Sequence, residues 1–206
     1  MHGFDRNPPA ACSRIRAALE ANGCRRAVAP EIGGMARALA ASKAAGNFLS
    51  IGEGAGEIGA WVLDGMDFSS GLVVLVQAPE EAAVLECELD RDLRASVHLQ
   101  EAASFLIDVN AHRFDLIVDL IAEQHPHVVQ LGLGLLRPGG VYLASHLGNS
   151  LHDAFAQCAP KSQGRQAAIE PDDFVAEALG DDRAALMIVR RTERIQPKRH
   201  PRSKIR

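Results

Sequence analysis

The sequence predicts an α/β fold: a Rossmann-like, mostly parallel sheet with an antiparallel last strand and helices on both faces. Three observations predict it. Short apolar strand signals alternate with helix signals from Phe48 to Ala144, the rhythm of successive right-handed crossovers in a parallel sheet. Gly71–Val76 reads Gly-Leu-Val-Val-Leu-Val, and so unbroken an apolar run suits a strand covered on both faces. Phe48-Leu49-Ser50-Ile51 runs straight into Gly52-Glu53-Gly54-Ala55-Gly56-Glu57-Ile58-Gly59. Strand, glycine turn, helix is the arrangement that brings backbone N–H groups up to a nucleotide.

The elements follow in order. Ala10–Ala21 has helical spacing, with Ile15 and Leu19 available for one face, and Asn22-Gly23 ends it. Pro30 opens a second helix through Ser42, since a proline costs nothing in a first turn. After the loop Ala45-Gly46-Asn47 come the strand Phe48–Ile51, the first crossover helix Ile58–Gly65 and the strand Gly71–Val76. Glu80–Leu93 reads as an amphipathic helix, Ala95–Leu99 as a short strand, Ala102–Ile107 as a helix and Phe114–Asp119 as an apolar strand. Val128–Leu136 is a helix stopped by Arg137-Pro138-Gly139-Gly140, and Val141–Ala144 is the fifth strand. Leu151–Gln157 reads as helix and Pro160–Gln166 as loop; Phe174–Leu179 and Ala184–Val189 flank Gly180-Asp181-Asp182 as a hairpin closing the sheet. The expectation is one domain over residues 1–190, with N-terminal helices to residue 45 and the core from 46 onward. Ligands of such a sheet meet the carboxyl ends of its first strands.

Composition bounds the function. The 206 residues are 47% apolar and 23% charged, an ordinary globular balance. Only 4% are aromatic, so Ala, Leu, Val and Ile must build the core. No apolar run reaches the roughly 18 residues of a membrane span, and Met1–Pro9 lacks the basic-then-apolar pattern of a signal peptide. Cys12, Cys24, Cys87 and Cys158 lie far apart without CxxC spacing, which reads as reduced thiols of a cytoplasmic protein rather than zinc ligands. The body carries no basic cluster near the glycine turn, which argues against a nucleic-acid partner.

The glycine turn itself admits two cofactors. Gly54-Ala55-Gly56-Glu57-Ile58-Gly59 fits the dinucleotide pattern GxGxxG, and Gly52-Glu53-Gly54-Ala55-Gly56 fits the GxGxG turn that holds S-adenosylmethionine. Gln77 stands at the end of the second strand, where either cofactor usually finds an acid for its ribose hydroxyls. A short-chain NAD(P) oxidoreductase would also need a Tyr-x-x-x-Lys pair, and the only tyrosine, Tyr142, has no such lysine after it.

Taken together, the segments resemble the class I methyltransferases, most closely the bacterial and catechol-type O-methyltransferases. Ala29-Pro30-Glu31-Ile32-Gly33-Gly34 resembles the Pro-Glu-x-Gly helix before their first motif; Phe48–Gly56 resembles their LEIGxGxG strand and loop; Val97-His98-Leu99-Gln100-Glu101-Ala102 resembles V-x-L-G-D-A; Phe114–Asp119 is similar to FDLVFID with one residue missing; Leu135–Gly140 is similar to the turn before the fifth strand. The resemblance spans residues 29 to 190. It implies S-adenosylmethionine as cofactor, with backbone amides at Gly52, Gly54 and Gly56 meeting it and Glu53 on the same turn. It further implies Gln77 and Ala78 at the ribose, Glu101 accepting from the adenine amino group and the Ala102 N–H at the ring. A small-molecule hydroxyl is the implied acceptor, and homodimers formed through N-terminal helices are the implied assembly, although this chain has little of that region.

The same resemblance exposes departures. The family holds Mg²⁺ on an Asp after the fourth strand and an Asp-Asn pair after the fifth. Asp119 falls near the first position, but the pair falls on Ser145-His146, a neutral and a softer ligand. Ser50 stands where the family begins its first motif with an acid. No metal site is therefore assigned. Two readings stay open: a metal-independent methyltransferase with Asp119 or His146 as base, and a fold-retaining protein with a scaffold or regulatory role. His125 and His127 could join Asp119 and His146 around a transition metal, or simply line an exposed loop before a helix that Pro126 starts. Trp61 is expected to pack against the sheet rather than stack on adenine.

Arg190–Arg206 holds eight Lys/Arg against one acid, Glu193, so the overall charge of −4 hides an acidic body and a basic end. Two prolines and dense like charge oppose packing of residues 191–206. A chain ending at Glu193 is expected to keep its melting temperature; a clear drop would show that the tail docks on the acidic body.

Overall fold

A computed structural model describes residues 7–23, 28–89, 92–122, 124–145, 173–179 and 185–192. Two helices, α1 (Ala10–Ala21) and α2 (Pro30–Ala41), precede the alternating core. The core runs β1 (Asn47–Ile51), α3 (Ala55–Gly65), β2 (Gly71–Val76), α4 (Pro79–Leu89), β3 (Ala95–Leu99), α5 (Ala102–Asp108), β4 (Phe114–Asp119), α6 (Pro126–Leu135) and β5 (Leu136–Ser145). It closes with β6 (Phe174–Leu179) and β7 (Ala185–Arg190). The strands lie in the order β3-β2-β1-β4-β5-β7-β6, with β7 antiparallel to both β5 and β6. The order reverses between β1 and β4, which places a crevice at their carboxyl ends.

Strand periodicity divides the core into two layers. Phe48, Leu72, Val74, Leu116, Val118, Val141 and Leu143 face α1–α4. Leu49, Ile51, Leu75, Ile117, Tyr142 and Ala144 face α5 and α6. The sheet is thus buried on both sides, as its apolar strands require, and each large aliphatic side chain taken from water contributes about 1.5–3 kcal/mol.

The N-terminal helices are fastened to α3 by one buried carboxylate. Arg16 of α1 donates to Glu57 Oε1, and the Val28 N–H donates to Glu57 Oε2 at 3.3 Å. The Cys12 thiol reaches the Glu57 carbonyl at 3.6 Å, and burial pushes that thiol up to about 12, so it stays protonated. Trp61 is buried against α2, where a Cβ on Gly33 would lie 2.4 Å from the indole, and the Arg37 guanidinium sits 5.0 Å from its ring centre. The indole is accordingly a packing group of the α2–α3 contact.

Three boundaries differ from the sequence expectation by three residues or more. Helix α3 begins at Ala55 rather than Ile58, with Gly54 as its N-cap in the left-handed region (φ 86°). Gly56 therefore lies inside the helix, and its missing Cβ is taken by Leu85 of α4, whose Cδ2 would be 2.0 Å away. Helix α4 ends at Leu89, short of Leu93, because Asp92 starts a turn by accepting the Arg94 N–H and its guanidinium. Strand β5 starts at Leu136, with its pairing to β4 shifted between Phe114 and Leu116 to accommodate the Pro138-Gly139-Gly140 run. The Leu151–Gln157 helix, the Pro160–Gln166 loop and the Gly180–Asp182 turn lie outside the described residues; the two strands flanking that turn pair antiparallel as expected.

Gly56→Ala is expected to destabilise the protein by about 1–3 kcal/mol in urea melts, because the new methyl overlaps Leu85. Trimming the neighbour, as in Gly56→Ala with Leu85→Val, should cost less than the sum of the two single changes.

Candidate active site

The crevice is built on the turn after β1. Gly52 (φ 98°) and Gly54 (φ 86°) both take left-handed conformations that side chains resist. Four hydrogen bonds fix the turn: Gly52 N–H to Leu75 O at 3.0 Å, Ala55 N–H to Gly52 O at 2.9 Å, Ser50 Oγ to Ala55 O at 3.0 Å, and Gly54 N–H to Glu81 Oε1 at 3.2 Å. Ser50 is buried and its hydroxyl closes the turn from below, which is what this chain uses in place of an acid. A Cβ on Gly52 would meet Ile121 at 2.5 Å, so the turn also packs on the segment after β4. Glu53, at the crest of the turn, is exposed.

Around this turn lie the other carboxyl ends. Gln77 is exposed and Ala78 half-buried just after β2. Glu101 is the N-cap of α5: its two oxygens accept the Ala103 N–H at 2.9 Å and the Ser104 N–H at 2.7 Å. Those two N–H bonds hold its carboxyl below the usual range. The cap leaves the Ala102 N–H, the first of the helix, without an acceptor in its own helix. Glu101 thus has a structural duty at the start of α5, beside the buried Ala102.

Asp119 ends β4 with 0% exposure. The Tyr142 hydroxyl donates to its Oδ2, and the Ile121 N–H donates to Oδ1 at 2.8 Å. Burial pushes its carboxyl up to about 6; the Tyr142 hydroxyl, the Ile121 N–H and nearby His125 pull the other way. Sequence reasoning missed Tyr142. The signal was its position: it pairs with Ile117 on β4, two residues before Asp119 on the same face, and a buried tyrosine needs a partner for its hydroxyl. It also missed Glu81, which reaches from the first turn of α4 to Gly54.

His125 and His127 face each other edge to face, 5.9 Å apart, at the start of α6. Each ring is near enough to a carboxyl for a positive charge to favour its ionised form, His125 for Asp119 and His127 for Glu101, both as minor influences. Among the described residues no three His, Cys, Asp or Glu side chains gather as metal ligands. His146, the other proposed base, lies outside the described residues. A separate cavity of about 370 Å³, lined by Asn47, Leu72, Arg94, His98 and Phe114, opens where strands β1–β4 begin, at the end opposite the glycine turn. No helix among the described residues is long and apolar enough to cross a membrane.

A switch-point crevice over a left-handed glycine turn, in a 3-2-1-4-5-7-6 sheet with an antiparallel seventh strand, defines the class I methyltransferase fold. Comparison with known proteins agrees. The O-methyltransferase from Bacillus cereus, in complex with SAH, superposes with a TM-score of 0.69 at 18% identity over 90% of this chain and 92% of that one. The O-methyltransferase TomG from Streptomyces achromogenes, in complex with SAM, gives 0.69 at 16% over 91% and 92%. No family model matches the chain. It is, however, 30% identical over 165 residues to a protein of Mycolicibacterium vanbaalenii named "Putative O-methyltransferase", covering 74% of this chain and 72% of that one. A relative of the same name from Mycobacterium sp. (strain JLS) is 32% identical over 152 residues, 69% of this chain and 68% of its own. The chain belongs to this O-methyltransferase family, and the dinucleotide-oxidoreductase alternative is set aside.

Tyr142→Phe removes the hydroxyl that stabilises ionised Asp119. Since the Asp119 carboxyl is raised, its ionisation opposes folding as pH rises through about 6. Without the hydroxyl that opposition grows. The substitution is therefore expected to cost about 1–3 kcal/mol at pH 8 and clearly less at pH 5, where Asp119 is protonated. Urea melts at the two pH values check it.

Proposed function

We propose that the protein binds S-adenosylmethionine at the Gly52–Gly56 turn and transfers its methyl group to a hydroxyl of a small molecule. The observation that carries the reading is the turn: two left-handed glycines at the carboxyl end of β1, aimed with the N-terminus of α3 into the switch-point crevice. When bound, the cofactor supplies an electrophilic methyl on a sulfonium. This chain's residues bind and orient. The expected amide contacts at Gly52 and Gly54 are not available, because those N–H groups and that of Ala55 bond within the protein; the glycines instead give the amino-acid and ribose portions close approach to the backbone and to the N-terminus of α3. Gln77 and Ala78 flank the ribose, with Gln77 offering an amide where an acid is usual. The Ala102 N–H meets the adenine ring, and Glu101 keeps α5 in place for it while retaining lone pairs for the adenine amino group.

The acceptor's proton has two candidate destinations, Asp119 and His146. Asp119 is enclosed, with both oxygens engaged by Tyr142 and Ile121, so in our reading it shapes the floor of the crevice and His146 is the base. The residues present do not suit Mg²⁺: Asp119 is occupied, and Ser145 brings no charge. Proximity and alignment do much of the work of an in-line displacement, with proton removal contributing roughly 10²–10⁴-fold.

Titration calorimetry with S-adenosylhomocysteine, S-adenosylmethionine and NAD tests the reading. Binding of the first two and not the third is expected, and Gly54→Val should abolish it, since a branched side chain fills the approach and cannot hold φ 86°. Binding of NAD alone sinks the proposal; binding of none favours a scaffold role. Methyl transfer to a panel of phenols, catechols and carboxylates is expected to survive EDTA. Loss with chelator and recovery with Mg²⁺ would show that metal ligands lie elsewhere in the chain.

A further inference from the structure

Glu81 is a buried acid that the roles assigned above do not use. It sits in the first turn of α4 with 3% exposure, and its Oε1 accepts the Gly54 N–H at 3.2 Å. Gly54 is the left-handed N-cap of α3, so its N–H has no partner within that helix. The carboxyl thus lies at the N-termini of two helices, α3 and α4, and both favour negative charge there. It spans 27 positions of sequence to reach the turn, which no local propensity could arrange.

We propose that Glu81 is a positioning residue of the cofactor turn: from α4 it holds Gly54 in the left-handed conformation that aims α3 into the crevice, and its ionisation sets how firmly the turn is held. The inference rests on the cofactor reading above. A carboxylate accepts an N–H about twice as strongly as a neutral acid does, so losing the charge loosens the grip on Gly54. The surroundings put that change within the physiological range. Burial pushes the Glu81 carboxyl up to about 7, the Gly54 N–H pulls it down, and Glu53 on the turn itself pushes it up again. Among the described residues α3, α4 and the turn carry no basic side chain, and α1, which also packs on α4, brings Arg14 and Arg16, which pair with Glu88 and Glu57 and leave these effects on Glu81 unopposed. Stability obeys the same sign: a raised carboxyl favours folding below its ordinary value and loses that contribution as pH rises through about 7. Ionisation therefore tightens the turn at some cost to the fold as a whole.

The test uses the full chain and the isosteric variant Glu81→Gln, which keeps an oxygen for Gly54 but cannot ionise. The ¹⁵N shift of the Gly54 amide, followed from pH 5 to 9, is expected to titrate with a midpoint near 7 in the wild type and to stay flat in Glu81→Gln. Affinity for S-adenosylhomocysteine by calorimetry is expected to fall several-fold from pH 8 to pH 5.5 in the wild type. In Glu81→Gln it should stay near the wild type's low-pH value throughout. A purely structural Glu81 would change the melting temperature without altering this pH profile. A wild-type Gly54 amide that does not titrate overturns the inference, even if the variant fails to fold. S-adenosylhomocysteine binding with the same pH profile in both proteins overturns it while leaving the cofactor reading intact. Absence of binding at any pH, with Gly54 titrating, overturns the cofactor reading and the positioning role together.

Discussion

Everything at the carboxyl end of the sheet depends on a backbone that turns left-handed twice within three residues. Gly52 and Gly54 make that reversal possible, but glycine alone only permits a conformation; it does not choose one. The choice is made by neighbours from four elements. Leu75 at the end of β2 accepts from Gly52, Ser50 of β1 bonds across to Ala55, Glu81 of α4 accepts from Gly54, and Ile121 after β4 fills the space beside Gly52. Because these partners come from both sides of the topological switch, the turn can take its shape only once β1, β2, β4 and α4 are assembled. The site is a product of the sheet, not a local motif placed on it.

The described core contains three enclosed acids near this turn, each hydrogen-bonded by a different partner. Glu57 has the Arg16 guanidinium, Glu81 has the Gly54 N–H, and Asp119 has a tyrosine hydroxyl with the Ile121 N–H. The differences follow from position. Glu57 lies under α1, where an arginine can lay its stem along apolar surface and keep the pair partly wet. Glu81 and Asp119 are as enclosed as Glu57 but have only neutral hydrogen-bond donors, so their carboxyls rise, to about 7 and about 6. Buried charge without a countercharge is costly. A fold that keeps two such groups beside one crevice has placed its least stable electrostatics where a ligand approaches.

Much of the architecture was legible in the sequence because it rests on local patterns. Strands β2, β3 and β4 and helix α1 have the bounds that their apolar runs and turn residues predict. The misjudged start of α3 has a tertiary cause. Gly56 and Gly59 lower helix propensity, so the sequence delays α3 to Ile58, whereas the structure uses both glycines for close contact, Gly56 with Leu85 and Gly59 with Val74. Tertiary packing repaid what propensity withheld. Likewise the glycine turn was readable, but its supports were not. Glu81–Gly54 and Tyr142–Asp119 join residues 27 and 23 positions apart, and nothing in either local sequence announces the partner. Glu101 was readable in both its guises, and its cap is the one the hydrogen bonds display.

The departures from the catechol-type pattern also make sense as one change rather than several. In that pattern an acid after the fourth strand stands open to a cation, and further ligands after the fifth complete the site. Here the acid's oxygen is engaged instead by a hydroxyl on the neighbouring strand. Tyr142 is in register to do so only because β5 pairs in parallel with β4 and sets residue 142 beside 117. With the tyrosine in that space Asp119 is fully buried, and a second carboxylate at 145 would add repulsion without a cation to absorb it. Ser145, buried and neutral, is what such a crevice tolerates. On the metal-independent reading proposed above, the missing acid at 145 and the enclosure of Asp119 by Tyr142 are two sides of one electrostatic change.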